Sequence, residues 1–180
     1  MEEKANAPNG AWGPLYAVGA ASAAAYVLMV LVPLVLMATE PLAPLAGGAA
    51  ILEYIAAHRA IYLAELICFV GLSLPALLVF LALGAALWQR ARSRALMGAA
   101  VGVGSELIAL ALGSSPPSLN GGLWVLAGRY EAAADPALRS SLTAAAEALA
   151  AWANAVSAAG ILTALAMLLL SIPLAKAGFP

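Results

Sequence analysis

Two acidic residues, Glu65 and Glu106, stand inside stretches otherwise apolar enough to cross a membrane. A charged side chain at the centre of a bilayer costs about 2.5–3.5 kcal/mol on insertion scales, so each must be neutralised, paired or solvated. Glu106 is the deeper of the two. It lies near the middle of the stretch 95–113, within roughly 3 Å of the membrane centre at the helical rise of about 1.5 Å per residue. Residues at matching depth that could bond it are Tyr26, Ser73, Ser157 and Thr163, and no basic residue shares that depth. The chemistry open to Glu106 is that of a proton or cation site. The alternative is a neutral acid whose hydrogen bond fixes helix register.

A second constellation opens the next span. His58, Tyr62 and Glu65 are spaced by four and three, which places them on one helical face, with Arg59 beside them. Glu65 lies about 10 Å along the helix from its outer end, near the edge of the hydrocarbon, where water or a long basic side chain reaches it. Such a stripe could hold a polar headgroup, or the polar end of an amphipathic ligand, at the outer leaflet. It could equally be the end of a helix whose Arg59 snorkels to the headgroups. One histidine and one carboxylate are too few ligands for zinc. With a single cysteine, Cys68, and a single histidine, the chain has no internal disulfide, thiolate metal cage or bis-histidine haem. Walker, HExxH, GxSxG and CxxC patterns are absent. The expectation is therefore a non-catalytic protein with no cofactor and no resident metal.

These residues must be positioned by membrane helices. The chain is 64% hydrophobic and 9% charged, against roughly 25% charged in soluble domains. Four apolar stretches, at 15–37, 61–88, 95–113 and 149–174, approach or exceed the roughly 20 residues a helix needs to cross the hydrocarbon. Alanine and leucine dominate them, so helices rather than barrel strands are expected. The leader carries Glu2 and Glu3 against Lys4, and the first apolar run is too long for a signal core, so it reads as an uncleaved helix. Pro75 in the second span frees the carbonyl of Gly71 and invites a kink. Small residues Gly98, Gly102, Ser105 and Ala109 on the third span, and Ser157, Gly160 and Ala164 on the fourth, mark faces of close helix approach.

Orientation follows from the short loop holding Arg90, Arg92 and Arg94, the densest positive charge in the chain, which belongs on the cytoplasmic side. Four spans then place both termini inside, in a bacterial cytoplasmic membrane. Lys4 and Lys176 add to the inner side, while Arg59, Arg129 and Arg139 fall outside. Trp12 and Trp88 suit the inner interface and Trp152 the outer. The outer loops, 39–57 and 114–148, hold most of the irregular sequence and form a cap. The first turns helical from Ala49, after Pro41, Pro44 and the Gly47-Gly48 pair. In the second, Ser114 to Pro117 and Asn120-Gly121-Gly122 precede 123–126, read as a short segment resting at the interface. Asp135-Pro136 then starts a helix, with the aspartate as N-cap and proline in the first turn. That helix is expected to run without a break into the fourth span. With no basic run, nothing suggests nucleic acid as a partner; membrane lipids and other membrane subunits, or a second copy, are the expected partners.

The arrangement resembles a bacterial membrane family known as domain of unknown function four-three-eight-six. The resemblance rests on His58-Arg59 opening the second span, Arg90 to Arg94 before the third, Ser105-Glu106-Leu107-Ile108, the segment from Tyr130 to Asp135, and the closing Gly178-Phe179-Pro180. It implies an all-helical membrane protein, shortened relative to members that continue into further helices. The family has no settled activity, so the resemblance implies no catalytic residues. The expected architecture is a single membrane domain, an up-down bundle of four transmembrane helices with an outer cap. Its expected role is that of an accessory or structural subunit. A small proton-linked carrier using Glu106 and a binder of an amphipathic ligand are the alternatives.

Overall fold

A spanning segment has no water to satisfy its backbone and must close its hydrogen bonds internally, and the alanine- and leucine-rich chain does so by folding into helices. The computed structural model describes residues 12–39, 44, 47–112, 119–155 and 158–176, and no strand occurs among them. The helices are α1 (Gly13–Thr39), α2 (Gly48–Ala57), α3 (Arg59–Gly71), α4 (Ser73–Leu87), α5 (Arg92–Leu112), α6 (Gly121–Ala132), α7 (Pro136–Ala155) and α8 (Ala158–Lys176). Ser157, Lys4, Pro41, the run Ser114 to Pro117 and the closing Gly178-Phe179-Pro180 lie outside the described residues.

Among the described residues, three segments are long and apolar enough to cross a membrane, Gly13–Leu36, Arg59–Leu87 and Arg92–Leu112, matching the first three expected spans. The second of these is parted at Leu72 into α3 and α4, three residues before Pro75. Proline has no N–H to offer the Gly71 carbonyl, so the ladder loses one rung there. The helix nonetheless carries on: Leu72 keeps helical torsions (φ −51°, ψ −33°), its N–H donates to the Cys68 carbonyl at 3.0 Å, and the Ala76 N–H donates to the Leu72 carbonyl at 3.1 Å.

The expected fourth span needs correction. Its first residues, Leu149 and Ala150, belong to α7 and pack into an apolar core with α2 and α6. The apolar part of α8 is the shorter segment Gly160–Lys176. The continuity expected between α7 and α8 falls on residues 156–157, outside the description.

The long helices pack antiparallel, each against the next in the chain. Gly19 brings α1 against Ala82 of α4, and Gly71 brings α3 against Met29 of α1. Going down one helix thus means going up the other. In the same way Gly84 admits Ala99 and Gly102 admits the Phe80 ring, joining α4 to α5. Gly98 receives Leu170 and Ser105 bonds Thr163, so seven residues along α5 match seven in reverse along α8. Phe80, Leu87, Ala95, Ala166 and Leu170 form the core of this layer.

A second core lies at the N-terminal end of α3, where α2, α6 and α7 pack on one another. It buries Ile51, Leu52, Ile55, Leu123, Ala127, Leu142 and Ala146 together with Tyr62. Leu123, expected in a short segment resting at the interface, lies within this core. It is the third residue of a twelve-residue helix, α6, and is fully buried between neighbours, because a 3.6-residue repeat puts Leu123 and Ala127 on one inward stripe.

Each cap helix has its own starting device. Asp135 accepts from the Ala137 N–H at 3.0 Å, as its position before Pro136 predicts. Asn120 does the same for α6, accepting from the Gly122 N–H at 2.7 Å. The first turn of α2 is served from a distance: the Gly48 N–H donates to the Glu147 carboxylate of α7 at 3.2 Å. Gly48 can sit there only because it lacks a Cβ, which would fall 2.2 Å from the Thr143 carbonyl oxygen.

Candidate functional site

The span residues that could do chemistry meet where α4, α5 and α8 touch. Glu106 projects from α5 and is hydrogen-bonded by the hydroxyls of Ser73 on α4 and Thr163 on α8. Ser105, fully buried beside it, hydrogen-bonds Thr163 across the α5–α8 contact. The two residues reach different neighbours because successive side chains on a helix point about 100° apart, and a small-residue face lets both flanking helices come close. Of the four partners expected for Glu106 by depth, Ser73 and Thr163 are in place. Tyr26 is exposed on α1, which packs on α3 and α4, and Ser157 lies outside the described residues.

The cluster offers one carboxyl and three hydroxyls. With each O–H donating onward, a chain can run from Ser105 through Thr163 to Glu106, while Ser73 supplies a second donor. Such a set can hold a carboxyl in one position, exchange a proton with a site that reaches it, or present oxygens to a cation. Glu106 itself is only half-buried, so its surroundings are completed by whatever lies against α5.

The outer stripe is arranged differently from its sequence pattern. His58 belongs to neither helix: α2 ends at Ala57 and α3 begins at Arg59. Its ring stacks on Tyr54 with centroids 4.5 Å apart, and its Nδ1 lies 3.0 Å from the Tyr54 carbonyl oxygen. Tyr62 is completely buried. Its hydroxyl donates to the Asn120 carbonyl at 3.2 Å and accepts from the Asn120 N–H at 3.0 Å.

Arg59 does not reach Glu65, because residues six apart fall on different sides of a helix. The guanidinium turns instead to α6, 3.6 Å from the Glu131 carboxylate and 5.9 Å from the centre of the Trp124 ring. Gly128 leaves the room it occupies: a Cβ there would lie 2.7 Å from the Arg59 Nη2. Glu65 is buried one turn below Tyr62 rather than open to water. Arg59 and Tyr62 thus tie α3 to α6 and its N-cap, while His58 stays with Tyr54 of α2.

Two residues that matter to this arrangement have no mark in the chain's spacing. Glu131 and Glu147 meet partners far away in sequence, and nothing local points to them. Asn120 is a favourable N-cap type, but the glycines at 121 and 122 that follow it disguise the helix start. Among the described residues no group of three or more histidine, cysteine or carboxylate side chains could hold a metal ion. Against protein-family models, curated proteins and solved structures alike, the chain finds no match.

Proposed function

We propose that this chain is a non-catalytic integral membrane protein, an accessory or structural subunit that assembles with itself or with other membrane subunits. The observation that carries the reading is the uncovered small-residue face of α8. One side of α8 packs on α5 through Ala166 and Leu170, which are fully buried. On another side a Cβ at Gly160 would meet nothing within 4 Å, and Ala164 one turn on is exposed. In lipid, where helices gain no hydrophobic advantage by associating, such small residues let backbones approach and pack. The half-buried state of Glu106 points the same way, since an acid at mid-span is favoured when protein covers it.

In this reading α1, α3–α4, α5 and α8 are the four spans of an up-down bundle, and α2, α6 and the start of α7 are its extracytoplasmic cap. The nineteen residues of α8 extend about 28 Å at 1.5 Å each, close to the roughly 30 Å of the hydrocarbon, and run beside α5. The turn carrying Arg90, Arg92 and Arg94 then faces the cytoplasm, with both termini on that side of a bacterial cytoplasmic membrane. Partners are lipids and membrane proteins, not nucleic acid.

Photo-crosslinking in the native membrane tests the reading. A photoreactive residue at Ala164 is expected to give a discrete band heavier than the monomer, while one at Leu28, exposed on α1, gives lipid adducts. Lipid adducts alone at Ala164 and along the rest of α8 would sink the proposal.

A second reading has its own observation, the hydroxyls of Ser73 and Thr163 on the Glu106 carboxyl. They furnish the oxygen ligands a proton-linked or cation-linked carrier would need. Purified protein in sealed vesicles under a pH gradient separates the two. A proton flux abolished by Glu106→Gln favours the carrier, and an equal flux in vesicles with and without protein dismisses it.

A further inference from the structure

At the end of the bundle opposite the cap, a cavity of about 440 Å³ is lined by Arg90, Ala91, Arg94, Pro173 and Lys176. Three cationic side chains from two separate elements converge on it: the turn and first helical residues leading into α5, and the last turn of α8. Their convergence follows from the antiparallel packing of α5 on α8, which sets the C-terminal end of α8 beside the start of α5. The chain contains no acidic residue between Glu65 and Glu106, nor any after Glu147. The elements around this cavity, α4, the start of α5 and α8, therefore bring no acidic side chain to it.

The level of the cavity in the membrane selects the anion. The apolar spans stop at Leu87 and resume at Arg92, so the cavity lies where hydrocarbon gives way to headgroups. Arg92, next to it, lies over the Trp88 ring at 4.8 Å, the placement of an interfacial aromatic anchor. On the hydrocarbon side of the cavity Leu96 and Met97 of α5 and Ile172 of α8 are exposed, a surface suited to acyl chains. Arginine pairs with phosphate oxygens in a bidentate fashion and lysine adds a point charge.

We propose that this cavity binds the phosphate of an anionic phospholipid, with Arg94 and Lys176 on the phosphate oxygens and the acyl chains along α5 and α8. Basic pockets between spans near the membrane face have the charge and shape for such headgroups. The proposal rests on the placement of the α4–α5 turn at a membrane face and is independent of assembly with another chain.

Native mass spectrometry of the detergent-solubilised full chain, titrated with phosphatidylglycerol or phosphatidylcholine, tests it. The wild-type protein is expected to retain one phosphatidylglycerol in preference to phosphatidylcholine. The double variant Arg94→Gln, Lys176→Gln should lose that preference by about thirtyfold, each of the two cations near the headgroup contributing about fivefold. Arg129→Gln, which removes a cation from the cap, should leave it unchanged. Retention of both lipids alike, or an unaltered preference in the double variant, overturns the proposal. Inorganic phosphate that displaces the lipid at equal concentration would make the site one for soluble phosphate and overturn the lipid assignment. A melting curve matching wild type certifies that the double variant is folded, and Lys176→Gln alone, at the exposed end of α8, supplies the same reading if the pair is unstable. Failure to stay in the membrane fraction would strike at the membrane placement instead, which separates the two failures.

Discussion

The hydroxyl of Tyr62, on the second span, serves both backbone groups of Asn120: it donates to the carbonyl and accepts from the N–H. Asn120 in turn caps α6 with its side chain, so a single buried phenol ties α3 to the first turn of α6. Removal of a buried partner costs more than the bond contributes, because the groups left behind lose water and gain nothing.

Tyr62→Phe is accordingly expected to destabilise the protein by about 1–3 kcal/mol. Tyr130→Phe makes the comparison, since Tyr130 donates to Glu53 at 3.3 Å in an exposed position, and a cost below about 0.5 kcal/mol is expected there. Unfolding in mixed micelles with increasing dodecyl sulfate, followed by circular dichroism, measures both. Equal effects would contradict the structural role given to Tyr62.

Glu106→Gln keeps an acceptor and a donor between Ser73 and Thr163, so the variant should fold and pack as the parent does. The Ser105–Thr163 bond should show a coupling of about 0.6 kcal/mol in a double-mutant cycle with alanine at both positions, the mean for interhelical bonds in membranes. A coupling indistinguishable from zero would place the two hydroxyls apart.

Glycines of the same helix should differ sharply. At Gly102 a Cβ would lie 2.4 Å from the Phe80 ring, whereas at Gly104 it would meet nothing within 4 Å. Gly102→Ala should cost about 1–3 kcal/mol through overpacking, and Gly104→Ala should be neutral or stabilise by up to about 1 kcal/mol. Unfolding titrations of the pair decide whether α4 and α5 are as close as described.

In the cap, Glu147→Ala removes the acceptor of the Gly48 N–H and should cost about 1 kcal/mol, the usual scale for a lost helix cap. Arg59→Gln should cost less than about 1 kcal/mol, because its pairing with Glu131 is between exposed groups, 45% and 59% accessible. Raising salt should shrink the Arg59 effect further. A cost at Arg59 larger than at Glu147 would reverse this ranking of the two contacts.

Local features were legible in the chain. The three long apolar helical segments follow from the length of their apolar runs, and the start of α7 from Asp135-Pro136. Each depends on neighbours within a few turns, where spacing maps directly onto helix geometry. The fate of the polar residues did not follow in the same way. His58, Tyr62 and Glu65 share a face by spacing, yet the break at His58 ends one helix and begins another, and Tyr62 answers to a residue 58 positions away.

What the sequence by itself determined, then, is which segments are long and apolar enough to cross a membrane and that they are helical, because solvation and backbone bonding are settled locally. Only the tertiary structure decided that Glu106 is met by Ser73 and Thr163, that Arg59 turns to Glu131 rather than Glu65, and that Glu147 caps α2. Those pairings depend on which helices lie side by side and in what register. That is set by the summed packing of small and large side chains over whole helices, and no single polar residue carries its imprint.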